Sequence, residues 1–228
     1  MIEDPPLLTI RRRFQRPAAA DVAAFAGLPT GFVVDALGGG GALAHHVKPV
    51  GAARSLCGVA LTCDPGPADN LALFGTITAA MPGDVVVAAR HGFLGNAVTG
   101  DLLLGMMKNR GIAGFVTDGA VRDVAGIESV GLPCYAAGIS PNSPSRVGPG
   151  SVGLPVVVGG VAVASGDIIV GDADGVVIVP QARIAATLAR IASVRAAEAA
   201  LDRKVRDGLA VPDFVQALID AGRFNEID

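Results

Sequence analysis

Two short steps in the 228-residue sequence carry residue types that could do chemistry together: Gly100-Asp101-Leu102 and Arg122-Asp123. Helical spacing begins within TGDLLLGMMKNRG, so the first step sits at a helix start, where free N–H groups and positive partial charge favour an anion. The loop from Gly95 to Leu102 is therefore placed to hold a carboxylate. Arg122 follows a strand ending in Thr117-Asp118-Gly119 and brings a permanent cation with a planar donor fork. Asp123 beside it offers a hard oxygen suited to Mg²⁺, an ion that keeps several waters and takes few carboxylates. A 2-oxo acid, with an anionic end and a carbonyl to polarise, matches that set. The residue types alone leave open a plainer alternative, in which Arg122 and Asp123 form a helix-start ion pair.

Glu198 is the third candidate. Ile184, Leu188, Ile191, Val194, Leu201 and Val205 recur at helical spacing, and Glu198 falls within the gap of seven between Val194 and Leu201. The pattern predicts Glu198 on a buried seam, where a carboxylate must find a partner. That partner is either a basic side chain of its own subunit or a site on a neighbouring one.

Other chemistries fit poorly. With 18 Lys+Arg against 21 Asp+Glu the formal charge is −3, which gives no electrostatic attraction to nucleic acid or an anionic membrane. Apolar residues make up 51% and charged residues 17%, enough for one well-filled core. Mean hydropathy is +0.53, yet Gly, Pro or a charge interrupts every apolar run before the ~18 residues of a span. The opening MIEDPPLLTIRRRF has no apolar h-region, so neither a signal nor an anchor is expected there, and the cytoplasm is the expected compartment. Cys57, Cys63 and Cys134 form no CxxC pair and read as buried thiols. His45, His46 and His91 lack zinc-ligand spacing. The glycine run Gly38 to Gly41 lacks the lysine of a phosphate loop, and Asp172-Ala173-Asp174-Gly175 reads as a β-turn rather than a calcium loop.

The elements that must position these candidates read as mixed α/β. Pro17 opens an alanine-rich helix to about Phe25, and Thr30 caps a second that stops at Gly38. SLCGVALTC and DVVVAA are strands flanking a helix capped by Asp69. The helix from Asp101, with Thr99 as its cap and Gly111 as its stop, leads to strand IAGFVTDG, a short helix RDVAGIESVG and strand LPCYAAG. Four short strands, PVVV, VAVA, DIIV and GVVIV, follow from Pro155. After Pro180 a long helix reaches about Arg206, and a short one follows the Gly208 break. The expected organisation is an α/β unit over 1–180 and a helical arm over 181–228 packed on its own or a neighbouring subunit.

The stretch GDLLLGMMKNRGIAGFVTDGAVRDV, then GLPCYAAGISP and PVVVGGVAVASGDIIVGDADGVVIVP, resembles the RraA-like family and its 4-hydroxy-4-methyl-2-oxoglutarate and 4-carboxy-4-hydroxy-2-oxoadipate aldolases. Asp35-Ala36-Leu37-Gly38 and Asp69-Asn70 are similar to its upstream segments. The resemblance runs from about Thr30 to Glu198. It implies a swivelling β/β/α-type domain, assembled as trimers or dimers of trimers with sites at subunit interfaces. It implies a lyase dependent on Mg²⁺ or Mn²⁺, releasing pyruvate from a small 2-oxo acid, with oxaloacetate decarboxylase side activity. Under it Asp123 is the metal ligand, Arg122 the arginine on the 2-oxo acid, and Gly100-Asp101-Leu102 the carboxylate-binding turn with its water-holding acid. Glu198 matches a glutamate donated by the adjacent subunit. Regulators of the family that inhibit a ribonuclease keep the fold but lack the acid after the arginine, which makes a non-catalytic, partner-binding role the alternative. One position departs from the aldolases: their acid three residues after the Arg-Asp pair is Gly126 here.

Overall fold

The computed structural model describes residues 6–227. The reading of the chain's first residues rests partly on Met1 to Pro5, outside that range. Seven α-helices are present among the described residues: α1 (Ala19–Phe25), α2 (Thr30–Leu37), α3 (Leu71–Ala79), α4 (Asp101–Asn109), α5 (Val124–Val130), α6 (Ile184–Arg206) and α7 (Asp213–Asp220). None is long and apolar enough to cross a membrane.

They surround a nine-stranded sheet whose parallel centre runs Leu56–Asp64, Asp84–Ala88, Gly114–Thr117, Cys134–Ala136. Lys48–Val50 joins antiparallel beyond Cys134–Ala136. On the opposite side the hairpin Ile168–Asp172 and Gly175–Val179 pairs with the first half of Leu56–Asp64, and Gly150–Val152 with its end. Leu8–Ile10 then adds in parallel to Gly150–Val152. The sheet curls so far that the Tyr135 hydroxyl donates towards Arg54 O (2.6 Å) and Asp172 O (3.0 Å).

The central strands are apolar along their whole length because both faces are covered. Val85, Val87, Val116 and Tyr135 point to one face, beneath the hairpin Val156–Val158 and Val161–Val163. Val86, Ala88, Phe115 and Cys134 point to the other and pack against Leu73 of α3, Leu104 and Met107 of α4, and Ile127 of α5. A third cluster joins α1, α2 and the start of α6 to Ile168, Val170, Val177 and Val179. The expected mixed α/β class, with its late short strands and long C-terminal helix, is borne out.

The buried seam of α6 is shorter than expected. Ile184, Thr187 and Ile191 are buried against α1 and α2, but α2 is only eight residues long and the cover ends near Val194. Every residue from Arg195 to Arg206 is exposed, with Leu201 at 48% and Val205 at 55%. Glu198 is therefore on an exposed stretch, which corrects the seam placement.

Candidate active site

Three very short parallel strands build a platform beside the main sheet: Ala97–Thr99, Ala120–Val121 and Gly138–Ile139. Each runs straight into a loop carrying candidate chemistry. Ala97–Thr99 feeds Gly100 and α4, Ala120–Val121 feeds Arg122-Asp123 and α5, and Gly138–Ile139 feeds the loop through Ser143 to Arg146. The loops are tied at their roots, since Arg122 N donates to Thr99 O (3.1 Å) and Ser140 N donates to Val121 O (3.0 Å). Ligands gather beyond the carboxyl ends of parallel strands because neighbouring loops diverge there and helix N-termini point in.

The divergence leaves a cleft of about 280 Å³ lined by Gly100, Asp101, Leu102, Arg122 and Asp123, together with Asn70, Ser143 and Arg146. The structure thus brings together five of the six sequence candidates. Asp123 is one of two described non-glycine residues with positive φ, at φ 60° and ψ 49°. Such a conformation is uncommon for aspartate and turns the chain sharply into α5. Arg122 Nε lies 3.2 Å from Asp123 Oδ2, and its Nη1 donates to Ser143 Oγ at 2.7 Å. The helix-start ion pair therefore exists, and it lies inside the cleft. Gly100 is extended rather than left-handed, so its backbone does not demand glycine. Space does: a Cβ there would run into Asp123 Oδ2 and lie 3.1 Å from Arg122 Cγ. Asp101 Oδ1 accepts the Leu102 N–H at 2.7 Å, so one donor of the expected carboxylate-binding turn is already engaged by the neighbouring acid.

Three lining residues went unassigned from sequence. Asn70 is 4% exposed; its Nδ2 donates to Val98 O (3.1 Å), while its Oδ1 has no partner among the described residues. A buried amide oxygen left unpaired is costly unless something donates to it. Ser143 and Arg146 arrive from the third loop, and the Arg146 guanidinium lies 5.2 Å from the Phe74 ring centre. In the sequence Asp69-Asn70 stands out only as similar to the family's upstream segments, with no role for Asn70, and NSPSR carries no reading.

Arg90 holds this side of the cleft. It is fully buried, and its guanidinium donates to Gly66 O (2.9 Å), Asp69 O (2.8 Å) and Asn96 Oδ1. One side chain thereby joins the segment entering α3 to the segment entering Ala97–Thr99. Burial lowers its pKa, opposed by the charges of Asp118 and Asp69. The cysteines are far from ready nucleophiles: burial pushes the Cys57 thiol up to about 11 and Cys134 up to about 12.

The donor set fits a hard divalent ion of the Mg²⁺ kind. No group of three His, Cys, Asp or Glu side chains converges among the described residues. Asp123, half-exposed at the cleft with Asp101 nearby, offers the one or two carboxylates on which Mg²⁺ and its waters rely. Glu198, beyond the covered part of α6, is not among the residues lining the cleft of its own chain.

Comparison with known proteins identifies the family. A Halalkalibacterium halodurans protein named "Putative 4-hydroxy-4-methyl-2-oxoglutarate aldolase" is 35% identical over 86% of this chain and 93% of its own. The crystal structure of Streptomyces coelicolor RraAS2, described as an unusual member of the RNase ES inhibitor RraA family, superposes with a TM-score of 0.73 at 25% identity, covering 83% of this chain and 100% of that one. The RNA-processing inhibitor RraA of Thermus thermophilis gives 0.62 at 29% identity over 67% of this chain and 93% of its own. The family model RraA-like, Aldolase/RraA, matches residues 30–178, and the chain belongs to that family.

Proposed function

We propose that the protein is a divalent-metal-dependent class II pyruvate aldolase that cleaves a 4-hydroxy-2-oxo dicarboxylate to pyruvate and a second 2-oxo acid, with oxaloacetate decarboxylation as a side activity. The observation that carries the reading is the meeting of Arg122, Asp123 and Asp101 in one cleft at the ends of parallel strands. Asp123 would hold the Mg²⁺ or Mn²⁺ ion, with Asp101 lining the same cleft. When bound, the ion supplies Lewis acidity toward the 2-oxo group.

The chain's own groups account for the rest. Arg122, steadied by Ser143, donates to the C2 oxygen, where negative charge grows as the C3–C4 bond breaks. Asp101, through a water, takes the proton of the C4 hydroxyl and returns one to C3 of the pyruvate enolate. In oxaloacetate the C4 carboxylate leaves as carbon dioxide and the same enolate is protonated. Arg146 supplies a second cation for the distal carboxylate, and Asn70 Oδ1 an acceptor for a donor on the substrate. Residues 181–228 act as an arm, and α6 of a neighbouring copy in a trimer or dimer of trimers contributes Glu198 at the cleft rim.

The test is a coupled assay of pyruvate release over a panel of 2-oxo acids, run with chelator and with added Mg²⁺ or Mn²⁺. Chelation is expected to abolish release and either ion to restore it. Equal rates in both conditions would sink the metal requirement. The second reading, a non-catalytic regulator binding a ribonuclease, draws on the RraA relatives; release from no member of the panel would favour it.

A further inference from the structure

Gly126 sits in the first turn of α5 with no positive φ, so its backbone conformation is open to any residue. Glycine is a poor helix former, and a helix of seven residues has little to spare. The reason for glycine lies across the cleft floor. A Cβ at 126 would lie 2.6 Å from Asp101 Cβ and 2.7 Å from Asp101 Cγ, and nearest of all to Asp101 Oδ2. Gly100 shows the reciprocal contact, its missing Cβ making room for Asp123 Oδ2. Each carboxylate therefore rests on a glycine of the other loop, Asp123 on Gly100 and Asp101 on Gly126. Asp101 is held on two sides, with Oδ1 on the Leu102 N–H and Oδ2 over the Gly126 Cα.

We infer that Gly126 is a positioning residue for Asp101: by carrying no side chain it lets the start of α4 close on the start of α5 and fixes where the Asp101 carboxylate meets the substrate. In the packing of this chain a side chain at 126, the acid of the resembling aldolases included, would push against Asp101 Cβ as well as its carboxylate, so a rotamer change alone cannot relieve it and the two helix starts must part. Displacement of about 1 Å in a proton-handling group can cost 10²-fold in rate. The catalytic consequence rests on the aldolase reading, whereas the steric coupling does not.

The experiment places Gly126→Ala in two backgrounds, wild type and Asp101→Gly, because the latter removes all three atoms that a Cβ at 126 would meet. In the wild type, kcat for pyruvate release should fall about tenfold or more, a larger change than in KM, since the displaced Asp101 carboxylate acts in the proton steps. The melting temperature should fall as well. In Asp101→Gly, adding Gly126→Ala should leave the residual kcat unchanged and the melting temperature unchanged or higher, alanine being the better helix former. Wild-type kcat in the single variant, or the same fold-loss in both backgrounds, would overturn the inference. If the wild type turns over no 2-oxo acid, the aldolase reading fails and the melting temperatures decide alone: a drop only where Asp101 is present supports the coupling, and equal drops refute it. Should Gly126→Ala fail to fold, a folded double variant supports the inference and an unfolded one overturns it.

Discussion

In the proposed mechanism lysine is no substitute for Arg122, because one side chain must do three things. Its Nε faces Asp123, its Nη1 donates to Ser143, and the planar fork holds its remaining donors in fixed directions relative to these two bonds. Arg122→Lys keeps the charge but loses the fork, and by analogy with removing an oxyanion donor the barrier should rise by about 2.7–4 kcal/mol. Steady-state kinetics on the best panel substrate checks this, and a kcat within about threefold of wild type would count against Arg122. This half of the site was legible in the sequence because Gly100-Asp101 and Arg122-Asp123 are contiguous pairs at helix starts. The role of Asn70 was not, although Asp69-Asn70 stands out as similar to the family's upstream segments, and nothing local marks Arg146. They reach the cleft only because Arg90 ties the Asp69 segment to Asn96, and because Asp69 ties its own segment to the loop through Val147. Of the three cysteines expected as buried thiols, Cys63 and Cys134 are buried and Cys57 is partly exposed.

Elements with strong local signals stand where the sequence puts them, including the four late strands as two hairpins and the Gly111 stop after α4. The caps were less readable. Thr99 was expected to cap α4 but is buried in Ala97–Thr99, leaving Gly100 as the cap. Thr30 was expected to cap α2 but instead spends its N–H (2.8 Å) and hydroxyl (2.9 Å) on Asp172, in the turn of the last hairpin. In both cases a tertiary partner outbids the local motif. The strands of the platform, two or three residues each, carry no period of their own and exist through pairing with one another. The cap of α3 is Asn70 rather than Asp69, yet Asp69 fastens the helix start from one residue further out, accepting from Leu71 N at 2.7 Å, and it also accepts from Val147 N (2.6 Å) and Ser145 Oγ (2.9 Å) in the third loop. Burial alone would push its carboxyl up, but these donors and the Gly148 N–H hold it below the ordinary value. A folded pKa below the unfolded one means stability that is present above about pH 4 and lost as pH falls through the folded value. Asp69→Ala should cost about 1.5–3 kcal/mol at neutral pH, the worth of one hydrogen bond to a charged group. Denaturant melts of both proteins should converge below about pH 4; a gap that stays constant on acidification would contradict the assignment.

At the scale of the whole molecule, the far half of α6 and all of α7 are the part that one chain leaves without cover. Leu201, Val205, Phe214, Leu218 and Ile219 are all exposed, while Lys204 pairs with Asp213 at 2.7 Å across the break between the helices. An exposed ion pair contributes little by itself, so the Lys204–Asp213 pair alone does little to hold α7 against α6. The sequence pattern expected a continuous seam because it counts apolar spacing and cannot see that α1 and α2 are too short to cover it. The same shortfall gives Glu198 a place in the proposed mechanism, since a carboxylate that its own body does not cover is free to meet a second copy. If it acts there, Asp123→Ala and Glu198→Ala each inactivate the protein by damaging different contributors to one composite site. Mixing equal amounts and letting subunits exchange by mild denaturation and refolding should then restore activity. A site is intact when one side supplies Asp123 and the other Glu198, each with a chance of about one half, so roughly a quarter of sites recover. A site built within one chain recovers none. Native mass spectrometry confirms that mixed oligomers formed; mixing without recovery refutes the shared site, and full activity of Glu198→Ala alone leaves that residue a structural role.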